Sequence, residues 1–145
     1  MLEHLITNRV LVSAVVSWAI AQILKVLIEL IRHHRLEIKW LVNPGGMPSS
    51  HSAIVTALAI SAGIVHGFDS TYFAIAAVLA LVVMYDAQGV RWEAGNHART
   101  INEIIDDLEH IGFKLDKNQK EILGHTPVQV IAGAVLGLII ALLVH

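Results

Sequence analysis

Pro127–Val144, PVQVIAGAVLGLIIALLV, carries no charged side chain along its whole length. A helix crosses the hydrocarbon core of a bilayer in about 20 mostly apolar residues, with a working range of roughly 17–25. The segment therefore predicts a spanning helix, and three earlier runs approach the same length: about Val10–Ile31, Ser52–Phe68 and Tyr72–Val90. The second of these is short, and His66-Gly67-Phe68-Asp69-Ser70 supplies the turn before the third begins. The expected fold is all-α: an integral membrane bundle of about four transmembrane helices, forming a single membrane-embedded domain over residues 1–145.

Composition supports the same class. Of 145 residues, 55% are hydrophobic and only 15% charged, too apolar for an ordinary soluble domain. The absence of cysteine removes disulfides and thiolate metal sites, and a formal charge of -2 gives no reason to expect a nucleic-acid partner. Met1–Asn8 contains Glu3 and lacks the basic start and small-residue cleavage site of a signal peptide, so the first apolar run is expected to stay as an anchor.

Between Arg91 and Gly124 the chain turns polar, yet Ile101, Ile104, Ile105, Leu108 and Ile111 recur at helical spacing. This pattern predicts an amphipathic helix in the 91–124 connection, ended by Gly112 and followed by a charged loop from Lys114 to Lys120. With four spans, the segments 32–50 and 91–124 share one side, and they hold Arg32, Arg35, Lys39, Arg91, Arg99, Lys114, Lys117 and Lys120. The other side has Arg9, so the basic loops, and any site between them, are expected on the cytoplasmic face of the cell membrane. Small residues (Ala53, Ala57, Ala59, Ser61, Ala62 and Gly63 in the second run; Ala132, Gly133, Ala134 and Gly137 in the last) predict that these two helices are close neighbours.

The second run opens on Gly45-Gly46-Met47-Pro48-Ser49-Ser50-His51-Ser52. Glycines let a backbone approach a ligand, and the unpaired amides of a first helical turn attract anions. His125 stands in a similar place before the last run. Its context, Gly124-His125-Thr126-Pro127-Val128-Gln129, supplies an N-cap threonine, a proline at the first helical position and a glutamine three residues after the cap. In an up-down-up-down bundle both histidines lie at the same end, where the first and third helices finish and bring Lys25, Arg32, Asp86 and Arg91.

Lys25 is the costliest of these inside a span, and its seven-residue spacing to Arg32 puts both cations on one helix face. Beside two helix N-termini they would make an anion trap; the plainer reading has Lys25 paired with Glu29 or snorkelling. Asp86 reads either as a functional carboxylate or as a structural ion-pair partner of Arg91. His33, His34, His66, His97, His110 and His145 lack comparable surroundings, and adjacent His33 and His34 diverge on a helix.

These residues resemble the type 2 phosphatidic acid phosphatase superfamily, and more closely its divergent bacterial and plant branch of small membrane proteins. Lys25 and Arg32 match the lysine and arginine of the superfamily's first signature, with His33 in place of its proline. Pro48-Ser49-Ser50-His51 matches Pro-Ser-Gly-His with Ser50 for glycine. The third signature, Ser-Arg followed by histidine and aspartate, survives mainly as His125, with Asn118-Gln119 for Ser-Arg and Gln129 for the aspartate. Met84-Tyr85-Asp86-Ala87-Gln88-Gly89-Val90-Arg91 and Leu123-Gly124-His125-Thr126-Pro127 are similar to hallmarks of the divergent branch, and the likeness covers nearly the whole chain.

The resemblance implies a membrane phosphatase acting on a lipid phosphate or diphosphate without metal or other cofactor. His125 would be the nucleophile, forming a phosphohistidine, and His51 the acid. Lys25, Arg32, Ser49 and Ser50 would hold phosphate oxygens. Arg91, or secondarily Lys120, would replace the missing arginine, and Asp86 the missing aspartate that orients His125. The alternative is a non-catalytic protein that binds or transports a phosphorylated lipid or anion at the inherited site. Vanadate-dependent oxidation ranks below both. Four helices rather than the superfamily's usual six leave room for a homodimer that completes the bundle.

Overall fold

The computed structural model describes residues 2–34, 46–112 and 125–145. Within them the chain forms α1 (Leu2–Thr7), α2 (Arg9–His33), α3 (Ser50–His66), α4 (Thr71–Gln88), α5 (Val90–His110) and α6 (Pro127–Val144). The all-helical bundle expected from the apolar runs is what forms. Polar side chains set the boundaries. Asn8, Ser49, Ser70 and Thr126 each cap a helix by accepting a backbone N–H from its first turn. At the far ends, His34 (φ 52°) closes α2, Gly67 (φ 93°) closes α3, and Gly112 (φ 98°) follows α5 where the sequence placed its end.

α2, α4 and α6 are long and apolar enough to cross a membrane, while α3 is shorter at 17 residues. At 1.5 Å per residue α3 is about 26 Å long, short of the ~30 Å hydrocarbon thickness. Its position compensates, because α3 packs against α2, α4 and α6 together and is the centre of the bundle. Ala53, Ala57, Ala59, Ser61 and Ala62 are all buried there. Val78, Leu81 and Val82 of α4 and Ile131, Leu142 and Leu143 of α6 instead face outward, as lipid-facing side chains do.

Hydrogen bonds fix the directions of the helices. Near one end Ser61 Oγ of α3 lies 3.3 Å from Ser13 Oγ and 3.4 Å from the Arg9 carbonyl of α2, and it also bonds His145 Nε2 just beyond α6. Toward the other end, Ser17 Oγ donates to the Ala53 carbonyl at 3.0 Å. α3 is therefore antiparallel to α2 and parallel to α6, and the starts of α3 and α6 share one end. Such bonds between helices satisfy hydroxyls that hydrocarbon cannot.

α3 and α6 approach closely through two glycines of α6. A Cβ on Gly133 would be driven into the Ser49 carbonyl oxygen and within 3.0 Å of Ser52 Cβ; one on Gly137 would strike the Ala53 carbonyl oxygen and come within 3.0 Å of the Ala57 nitrogen. The small-residue faces thus pair as the sequence predicts.

α1 was not expected from the sequence, and the amphipathic helix differs in position. α5 begins at Val90, with Gly89 alone separating it from α4, so Arg91 stands in a first helical turn rather than in a loop. The exposed side chains of Ile101 and Ile104 lie along it. The expected charged loop, Lys114–Lys120, and the basic residues Arg35 and Lys39 fall outside the described residues.

Because backbone atoms, not a mobile side chain, oppose Gly133 and Gly137, alanine at either position should cost about 1–3 kcal/mol. Val135→Ala, on the half-exposed side of α6, should stay within about 0.5 kcal/mol of wild type. Denaturant unfolding of the detergent-solubilised protein measures both, and equal effects would remove the close-packing argument.

Candidate functional site

Ser49 stops just short of α3 and turns its hydroxyl inward. Its Oγ accepts from Ser52 N–H at 3.3 Å and from Ser52 Oγ–H at 3.0 Å. With both lone pairs engaged, Ser49 has its own hydroxyl proton left to offer a ligand. Ser49, Ser50 and Ser52 are all buried, and His51 projects from the first turn between them, half-buried.

His125 is buried at 2% exposure and is anchored from both sides. Its backbone N–H donates to the Ala87 carbonyl at the end of α4, 3.0 Å away. Its Nδ1 lies 3.1 Å from Gln129 Oε1, and the same oxygen accepts the Thr126 N–H at 3.2 Å. Thr126 Oγ1 in turn accepts the Gln129 N–H at 3.4 Å, completing the capping box read from the sequence. The Gln129 carbonyl accepts the Ser49 N–H at 3.0 Å and so ties the start of α6 to the start of α3.

These anchors bring the two histidine rings face to edge, with centroids 5.9 Å apart and planes at 63°. Lys25 reaches the same end from α2. It is 2% exposed, and its stem packs so tightly under Gly46 that a Cβ there would lie 3.0 Å from Lys25 Cγ. An open cleft of about 280 Å³ lies between the end of α4 and the start of α6, lined by Tyr85, Gln88, Gly89, His125 and Pro127. Asp86, half-buried, is in the same last turn of α4.

The structure thus assembles His51, His125, Ser49, Ser50 and Lys25. Arg32 is exposed on α2, about 10 Å beyond Lys25 at 1.5 Å per residue. Arg91 follows Asp86 by little more than one helical turn of chain, in the first turn of α5. Lys120, Asn118 and Gln119 fall outside the described residues. Gln129 is the residue that sequence reading underrated: the group on His125 Nδ1 is its amide, where a carboxylate from Asp86 was expected. The available signal was its place four residues after His125, where the third signature of the resembled superfamily carries its aspartate. Among the described residues, no group of three or more His, Cys, Asp and Glu side chains is arranged to hold a metal.

Gly46 has φ 97° and a lysine stem beneath it. Gly46→Ala should therefore cost about 1–2 kcal/mol from backbone conformation alone, plus the displacement of Lys25. In a Lys25→Ala background the second contribution disappears, so unfolding measurements on the two single variants and the double variant should be non-additive. Strict additivity would mean that Lys25 and the Gly46 segment do not bear on each other.

The geometry agrees with the comparisons to known proteins. Residues 6–140 match the divergent PAP2 family. The chain is also 37% identical, over 150 aligned positions, to the uncharacterized membrane protein YuiD of Bacillus subtilis (strain 168), an alignment covering 96% of this chain and 95% of that protein. No solved structure matches. A family match over nearly its whole length, in a helical bundle with three helices long and apolar enough to cross a membrane, makes this chain an integral membrane member of the divergent PAP2 family.

Proposed function

We propose that the protein is a membrane phosphatase that hydrolyses a lipid phosphate or diphosphate through a phosphohistidine on His125. The observation carrying this reading is the pair of histidine rings 5.9 Å apart at the shared start of two helices, with Lys25 buried beneath Gly46 in the segment leading into α3. Histidine is the side chain suited to supply one neutral and one protonated ring near neutral pH.

In the first step the Nε2 lone pair of His125 forms the P–N bond while the P–O bond to the leaving group breaks. Protonated His51 gives its proton to the departing oxygen. In the second step neutral His51 takes a proton from water as the water oxygen bonds to phosphorus. The P–N bond breaks, its electron pair returns to Nε2, and phosphate leaves. Lys25, Ser50, the Ser49 hydroxyl proton and the first-turn amides of α3 hold the equatorial oxygens. Arg32 and Arg91 gather the headgroup at the mouth, and Asp86 supplies a carboxylate at the end of α4. The acyl chains remain in the bilayer, so the substrate reaches the site without extraction.

The likeness to a membrane protein and the apolar helices support the bilayer setting, and the distribution of Lys and Arg supports a cytoplasmic site at the cell membrane. Assembly as a homodimer belongs to the same reading, although the two-histidine chemistry does not require it. One observation favours a second reading, in which the site binds or moves a phosphorylated lipid without turnover: the group on His125 Nδ1 is a neutral amide rather than a carboxylate.

Purified protein should release phosphate from members of a lipid phosphate and diphosphate panel, and His125→Ala should abolish that release. His51→Ala should slow it by about 10²–10⁴-fold, the usual contribution of a positioned acid. Arg91→Ala should weaken phosphate binding and Lys120→Ala should not. Binding across the panel with no release would replace this function by the second reading. The sidedness has its own test: Lys39→Cys in intact cells should resist a membrane-impermeant thiol reagent and react after permeabilisation.

A further inference from the structure

We infer that Gln129 is the positioning residue for His125: its amide oxygen, pinned by the Thr126 backbone N–H, fixes the imidazole with Nδ1 protonated and the lone pair on Nε2. The inference deepens the phosphoryl-transfer reading of the site and rests on that reading for its kinetic consequence, but the tautomer can be measured without any reaction.

An amide beside a histidine is ambiguous. Facing Nδ1 with its oxygen, it demands a proton there; facing Nδ1 with its NH2, it demands a lone pair there and moves the ring proton to Nε2. In the second orientation Nε2 has no lone pair with which to attack. What settles the choice is the other partner of Gln129 Oε1. A backbone N–H can donate and never accept, so the Thr126 N–H at 3.2 Å requires the oxygen at that position. The same oxygen is 3.1 Å from His125 Nδ1, and its two lone pairs suffice for both bonds.

The pin is as firm as the start of the helix. Thr126 Oγ1 accepts the Gln129 N–H, the Gln129 carbonyl accepts the Ser49 N–H, and the His125 N–H is held by the Ala87 carbonyl. Flipping the amide would set its NH2 against the Thr126 N–H, donor against donor, inside a partly buried turn. A capping box thus does a second task here: it selects the tautomer of the histidine immediately before its cap.

The amide is neutral. It orients the ring but does not compensate the positive charge that the imidazole gains as Nε2 bonds to phosphorus. Orientation and charge compensation are therefore separable in this protein. Glutamate at the same position keeps both acceptor functions, since Gln and Glu serve equally in a capping box, whereas leucine removes them.

The test is 15N NMR of histidine-labelled protein in detergent micelles without substrate, with His125 assigned by its loss in His125→Ala. The wild type and Gln129→Glu should both show a protonated Nδ1 and a lone-pair Nε2. Gln129→Leu should move toward the tautomer mixture of an unrestrained ring, and its phosphate release should fall by about 10²-fold or more in kcat with KM little changed. A wild-type Nε2 that carries the proton overturns the inference. So does a folded Gln129→Leu whose ring signals match wild type. If leucine prevents folding, the wild-type and glutamate spectra still decide. The expected tautomer together with no turnover on any lipid phosphate would uphold Gln129 and remove the phosphatase reading instead.

Discussion

The approach of α6 to α3 through Gly133 and Gly137 is the contact on which the site depends. Neither glycine tolerates a Cβ, because carbonyl oxygens of Ser49 and Ala53 occupy the space where it would go. Between lipid-embedded helices no hydrophobic force distinguishes protein from lipid, so association relies on close van der Waals fit and on hydrogen bonds across the interface. Here both occur within one turn: Gly133 admits the α3 backbone, and Ser49 N–H bonds the Gln129 carbonyl at 3.0 Å. His51 and His125 are each within four residues of that bond, and their 5.9 Å separation follows from it.

The buried polar groups fall into two sets with different physical roles. Ser13, Ser17 and Ser61 are fully buried and bond across helices to hydroxyls or carbonyls, which makes them part of the scaffold. Lys25 belongs with the histidines. Its burial beneath Gly46 is tolerable in a span only where it faces protein or a wet cavity, and the segment leading into Ser49 and His51 supplies that cover. The positive φ of Gly46 is what allows the chain to lie so closely over the lysine stem.

Much of this was legible in the sequence because the bilayer enforces simple rules. Apolar length marked the spans, small residues marked the α3–α6 face, and Thr126-Pro127 with Gln129 marked the start of α6. Helix direction then followed from counting spans, which placed His51 and His125 at one end. Less legible was anything set by a single side-chain rotamer. Gln129 could be read as a capping residue, but its oxygen reaching His125 Nδ1 as well depends on a ring orientation that no spacing specifies. The continuation of α4 into α5 through Gly89 was missed for a different reason: a polar stretch after an apolar one looks like a loop, whereas here the second helix begins at once and only its chemistry changes. Its Ile101–Ile111 stripe was the legible part.

The electrostatics of the site follow from where each helix ends. α3 and α6 both begin there, each presenting a dipole end worth roughly +0.5 of a charge. α4 finishes there too, with the opposite sign, but its Ala87 carbonyl is engaged by the His125 N–H, and α5 begins at Val90 with only Gly89 between them. The remaining negative end, that of α2, is at His33, about 12 Å beyond Lys25 at 1.5 Å per residue, past the distance over which a helix end acts strongly. Two positive helix ends and Lys25 thus stand at this end together with the Asp86 carboxylate in the last turn of α4. Overrunning the site by about two turns carries the negative end of α2 away from the starts of α3 and α6.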